Sequence, residues 1–129
     1  MMEWAHAVQA FEQALQRFRE ALAERETPLV RDAAIKRSEF TFELAWKAAQ
    51  RCLREQGILC RSPNECFREA FAFGLIQDNP LWIRMMEDRN LTVHTYNEQT
   101  AQKIYGNLKD YVPLYEELLR GLTQHLGPK

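Results

Sequence analysis

The chain has little of what usually breaks or staples a fold. Its 129 residues include five Gly, five Pro and three Cys. Cys52, Cys60 and Cys66 are odd in number and form no CxxC pair. They therefore predict neither a disulfide framework nor a zinc knuckle, but three reduced packing thiols. No charge of one sign dominates, since 17 Lys+Arg stand against 18 Asp+Glu for a net −1. That balance speaks against a dedicated basic nucleic-acid binder but leaves room for a local basic patch. Long apolar runs are missing too: the longest, Ala70 to Ile76, falls well short of the ~20 residues that span a bilayer. The opening Met1-Met2-Glu3-Trp4-Ala5-His6 lacks the basic start and apolar stretch of a secretory leader. A soluble, cytoplasmic protein without membrane association is the expectation.

What is present is ordinary globular material, 46% apolar and 27% charged, in a length suited to one domain over residues 1–129. Trp4, Val8, Phe11, Leu15, Phe18 and Leu22 alternate spacings of four and three, the stripe of an amphipathic helix. Thr27-Pro28 is an N-cap followed by proline at the first helical position, and the helix it opens can run to Gly57. Within it Ile35, Phe42, Trp46, Ala49 and Leu53 share one arc at ~100° per residue, whereas Phe40 and Leu44 point the other way. Arg37, Lys47 and Arg51 surround that second stripe, and residues 31–61 hold seven Lys+Arg against four Asp+Glu. An apolar seam in a basic rim is a candidate partner interface.

Ser62-Pro63-Asn64-Glu65 is a capping box, and Gly74 should close the short helix behind it. Asp78-Asn79-Pro80 opens a fourth helix with Leu81, Trp82, Met85 and Met86, and Asn97 or Thr95 caps a fifth that Pro113 interrupts. Leu91 to Tyr96 alternates like a strand but has nothing to pair with, so it reads as a helix break or loop. The fold class is all-α, an up-and-down bundle of about five helices. Its tail, residues 121–129, should fray.

No HExxH, GxxxxGK[ST], GxSxG or Rossmann glycine pattern occurs, and no histidine has a metal-ligand spacing, so no cofactor or metal is expected. Ionisable groups concentrate instead between Met86 and Asn97. Arg89 follows Met85 and Met86 by four and three residues and so shares an apolar stripe, where a charge needs a partner. The bland reading is an internal salt bridge with Glu43, Glu69 or Asp88, which leaves a purely structural interaction module. The functional reading joins Arg89 with His94, an arginine that forks phosphate oxygens and an imidazole that moves protons near neutrality. On an unbroken helix the two stand about 140° apart at ~100° per residue, so the helix should break between them, with Asn90, Thr92 and Thr95 favouring a break.

Three blocks in order, Ser38 to Lys47, Ser62 through Phe71 to Ile76, and Met86 to Asn97, resemble the nucleotidyltransferase substrate-binding proteins of the HEPN superfamily. The resemblance covers roughly residues 30–120. It implies a HEPN-like bundle that forms a homodimer and partners a minimal nucleotidyltransferase in a toxin–antitoxin-like pair. It places the Arg-x4-His-x-Tyr motif, here Arg89, His94 and Tyr96, at the dimer cleft, with Asn90 as the polar residue after the arginine. The implied roles are nucleotide or substrate binding by Arg89, Asn90, His94 and Tyr96. In toxin members the Arg and His cut RNA without metal, and the transferase silences them by moving AMP to the tyrosine, here Tyr96. The expected interface with the partner is Arg37, Phe40, Leu44, Lys47 and Arg51.

Overall fold

The computed structural model describes residues 2–94 and 97–126, and the side chains of these except at 2, 3, 93, 94 and 126. Six α-helices lie among the described residues: α1 (Met2–Ala23), α2 (Pro28–Glu55), α3 (Pro63–Phe73), α4 (Leu81–His94), α5 (Glu98–Leu108) and α6 (Val112–Leu126). One turn of 3-10 helix, Lys109–Tyr111, joins the last two. The described residues form an all-α bundle, and the helix expected to be interrupted at Pro113 is divided just before it.

Local chemistry sets most boundaries. Thr27 begins α2 by accepting a hydrogen bond from the Val30 amide at 3.0 Å, and Ser62 begins α3 by accepting from the Glu65 amide at 3.2 Å. The Glu65 carboxylate returns to the Arg61 amide at 2.9 Å, completing the box one residue early. Gly74 ends α3 with φ +97°, a left-handed conformation that suits glycine. Asn97 caps α5 by accepting from the Thr100 amide at 2.8 Å.

α1 and α2 run antiparallel after a four-residue connection and pack along their length, Thr41 donating to the Ala14 carbonyl at 3.2 Å. α6 closes over both. Tyr115 meets Phe11 and Phe18 edge-on at 5.9 and 6.2 Å between ring centres, and Arg19 pairs with Glu116 at 2.8 Å. Phe67 of α3 bridges to α2 and α4, with its ring 5.8 Å from that of Phe42 and 4.4 Å from that of Trp82.

Three expectations are corrected. The thiols are not all reduced: Cys60 and Cys66 form a disulfide around the start of α3, leaving Cys52 free and buried. Their pairing depends on the capped turn between them, which the lack of a CxxC spacing does not reveal. The chain does not fray at Gly121, because α6 continues to Leu126 and Leu122 is fully buried; residues 127–129 lie outside the described ones. Gly121 itself sits against Leu75, where an added Cβ would be 2.6 Å from the carbonyl oxygen. Finally, residues 91–94 are helical rather than a break or loop.

Candidate functional site

α4 carries the residues singled out above. It starts where the Asn79 side chain accepts from the Leu81 amide at 3.0 Å, and it buries Trp82, Met85 and Asp88. Asp88 is a charge at a core position and is fully engaged. Its Oδ2 accepts from the Tyr111 hydroxyl at 2.5 Å and from Asn107 Nδ2 at 3.0 Å. Tyr111 in turn accepts from Arg84 Nε at 2.9 Å, and Arg84 pairs with Asp110 at 2.8 Å. Burial, and then the bond to Asp88, push the Tyr111 phenol well above its ordinary range. The bonds to Asp110 and then to Tyr111 raise the Arg84 guanidinium above its ordinary range. Sequence reasoning named Asp88 only as a neighbour for Arg89. Its place three residues after Met85 and seven after Leu81, on the buried stripe, is the signal that it fastens α4 to the end of α5.

Arg89 turns toward α2. Its Nη2 donates to Glu43 Oε2 at 2.5 Å, and its guanidinium carbon lies 5.2 Å from the centre of the Phe42 ring. Of the three carboxylates considered, Glu43 is the partner. Glu43 also accepts from Trp46 Nε1 at 3.3 Å and faces Lys47 at 3.7 Å, so it holds two cations and an indole. Arg89 keeps about a third of its side chain in solvent, so its remaining donors can meet an anion. Beneath it is a cavity of about 20 Å³ lined by Ser38, Phe42, Met85, Asp88 and Tyr111 among others, room for one water.

The expected break between Arg89 and His94 is absent. Thr92 returns its hydroxyl to the Arg89 carbonyl at 2.7 Å and α4 continues through His94. Five residues on a continuous helix put the two positions about 140° apart at ~100° per residue, so one chain does not present them side by side. Asn90 is exposed beside Arg89. The His94 side chain and all of Tyr96 lie outside the described residues.

The second stripe of α2 is placed as the spacing predicts. Phe40 is 56% exposed, and Arg37, Phe40 and Leu44 line a groove of about 270 Å³ against Ala10, Ala14 and Arg17 of α1. Arg37 is held there by donating to the Arg17 carbonyl at 2.8 Å. Lys47 and Arg51 continue the stripe by helical register but do not line the groove. Among the described residues no group of three or more His, Cys, Asp or Glu is arranged to hold a metal ion. No described helix is long and apolar enough to cross a membrane.

Comparison with known proteins assigns this bundle. The chain belongs to the family described as nucleotidyltransferase substrate binding protein like, whose model matches residues 1–124. It is 33% identical over 96 residues to a probable ribonuclease HepT of Haemophilus influenzae, covering 70% of this chain and 66% of that protein, just under two thirds of its length. A crystal structure from Thermus thermophilus is similar at 44% identity and TM-score 0.81, over 87% of this chain and 98% of that one. A Shewanella oneidensis HEPN toxin, solved tri-AMPylated in complex with an MNT antitoxin, shares the fold at TM-score 0.74 and 16% identity, covering 94% and 96% of the two chains.

Proposed function

We propose that this protein is the substrate- or nucleotide-binding subunit of a two-component system, a homodimer that partners a minimal nucleotidyltransferase in a toxin–antitoxin-like complex. The family match over residues 1–124 carries this reading, and Arg89, with about a third of its side chain in solvent, supports it as a candidate phosphate contact. Arg89, Asn90 and His94 of α4 are the proposed binding residues, joined by Tyr96, two positions further along the sequence. The Arg37, Phe40 and Leu44 groove, extended by Lys47 and Arg51, is the face offered to the transferase. Size-exclusion chromatography with light scattering, alone and after co-expression with a neighbouring short nucleotidyltransferase, tests it. A protein that stays monomeric and binds no transferase at micromolar concentration would sink the proposal.

A second reading is favoured by the ribonuclease relative. His94 takes the proton of an RNA 2′-hydroxyl, whose oxygen attacks the adjacent phosphorus. The bond to the 5′-oxygen breaks, leaving a 2′,3′-cyclic phosphate and a 5′-hydroxyl that takes its proton from solvent, while Arg89 holds the phosphate oxygens. Because one helix keeps Arg89 and His94 on different sides, this reading draws on the homodimer to bring the two motifs together. The transferase would silence the reaction by joining AMP from a nucleoside triphosphate to the Tyr96 oxygen with loss of pyrophosphate. RNA cleavage that persists in EDTA and disappears in both Arg89→Ala and His94→Ala supports it. No cleavage by the protein freed of its partner rejects it. A mass increase of one AMP on Tyr96 after co-expression tests the silencing step.

A further inference from the structure

A second pocket, of about 330 Å³, opens between α3 and α4 and is absent from the reading above. Its volume falls at the lower end of the range usual for small-molecule sites. Its walls are apolar and flat: Phe71 and Trp82 contribute rings, and Ile83 and Met86 contribute aliphatic surface. Phe71 is 48% exposed and Ile83 58%, so two large apolar side chains stand in water at its mouth. Trp82 is itself 5% exposed and forms the floor, its indole N–H buried without an acceptor among the described residues. Asn64 and Asp78 stand exposed on the rim and offer amide and carboxylate groups of the kind that pair with a base edge.

The pocket also adjoins the candidate phosphate contact. Met86 and Arg89 are three residues apart on α4 and therefore neighbours on its surface. Ile83 and Arg89 are about 9 Å apart along the axis at ~1.5 Å per residue, within two turns of each other on α4.

We infer that the α3–α4 pocket receives an unstacked nucleobase of single-stranded RNA, the residue next to the phosphate held by Arg89. The base slots between Phe71, Ile83 and Met86, with the Phe71 ring as its stacking surface, while Asn64 and Asp78 read its edge. Single-stranded RNA is commonly recognised by splaying bases onto aromatic side chains and hydrogen-bonding their edges. The inference rests on the proposed phosphate role of Arg89, and its test separates the two.

The experiment is calorimetric titration of the full chain with adenosine, guanosine, cytidine and uridine, and in parallel with a short single-stranded RNA. Nucleosides carry no phosphate and so report the pocket alone. Phe71→Ala and Ile83→Asp change exposed positions and leave the core intact. The expected result is that at least one nucleoside binds, that the two variants weaken it about tenfold or more, in keeping with one lost stacking contact, and that they weaken RNA binding too. If no nucleoside binds, or the variants bind it as the parent does, the pocket assignment is overturned. RNA affinity that still falls in Arg89→Ala would then leave the phosphate role standing. If the variants instead turn a dimer into a monomer with nucleoside binding unchanged, the pocket is covered by a second copy and the inference is wrong.

Discussion

Arg89 of α4 is tied to Glu43 of α2, 46 positions earlier, with its guanidinium laid over the Phe42 ring between them. The carboxylate occupies donors that a phosphate would use, so Glu43 competes with any anion at this site. Glu43→Gln keeps the shape and removes the competing charge. Affinity for a short single-stranded RNA should rise about tenfold, the equivalent of ~1.4 kcal/mol, with a steeper dependence on salt. Filter binding at two salt concentrations checks this, and an unchanged affinity would show that Arg89 does not contact the phosphate. Stability should change little, because both side chains keep about a third of their surface in solvent and solvent-screened pairs contribute ~0–1 kcal/mol.

The buried carboxylate next to Arg89 behaves differently. Asp88→Ala strips Tyr111 and Asn107 of their shared acceptor in a closed environment. A loss of about 2–4 kcal/mol is expected, the usual penalty for breaking a buried polar network. Tyr111→Phe should cost less, since Asp88 retains Asn107. Urea denaturation of the two variants gives the ordering, and equal costs would contradict it.

How much of this was legible beforehand depended on range. The caps at Thr27, Ser62, Gly74 and Asn97 were readable because each is satisfied within a few residues. The core stripe of α1 was readable because its period repeats for six turns. The end of α4 is not legible locally, for a physical reason: Leu91-Thr92-Val93 has the composition of a strand, yet the Thr92 hydroxyl is satisfied by the Arg89 carbonyl and the helix continues. Arg89 was correctly expected to need a carboxylate. Which of three it takes was decided by the packing of α4 across α2, and that order of helices is not a local property. The α3–α4 pocket is not legible in the sequence, because it exists only once α4 is placed against α3, which leaves Phe71 at its rim.

The disulfide gives a direct handle on α3. Cys60 and Cys66 are six positions apart, and closing so short a loop restricts the unfolded chain by about 2 kcal/mol. Reduction with dithiothreitol should lower Tm by several degrees, and the Cys60→Ser, Cys66→Ser double variant should match the reduced parent. Mass spectrometry of the alkylated protein should count one reactive set of two thiols only after reduction. An identical Tm with and without reductant would show that the bond does not contribute.

Two glycines of the last helices should respond in opposite directions. Gly121→Ala forces a Cβ to 2.6 Å from the Leu75 backbone oxygen, and backbone on both sides leaves no flexible group to yield. A loss of about 2–3 kcal/mol is expected, in the range of overpacked core sites. Gly106 is exposed within α5 with nothing near its added methyl, so Gly106→Ala should gain about 0.5–1 kcal/mol through helix propensity. Denaturant midpoints decide both, and a neutral Gly121→Ala would mean that α6 is not seated on Leu75.

Alkali should attack the fold first through Cys52. Burial, assisted by Glu55, raises this thiol from 9.0 to about 11. A group whose folded value lies above its unfolded one contributes stability that is whole below the unfolded value and is lost as pH rises toward the folded value. Between about pH 9 and 11 the unfolded chain sheds the thiol proton while the native chain holds it, and unfolding is favoured by up to ~1.4 kcal/mol per pH unit. Tyr111 and Tyr115, also raised by burial, add to the loss only above their ordinary value of 10.0. Urea curves at pH 7, 9 and 10 should therefore show a decline that begins near 9 in the parent. In Cys52→Ala the curve starts lower at pH 7, because a buried group is gone, but stays flatter up to 10. A decline of the same slope in Cys52→Ala would assign the alkaline transition to the tyrosines instead.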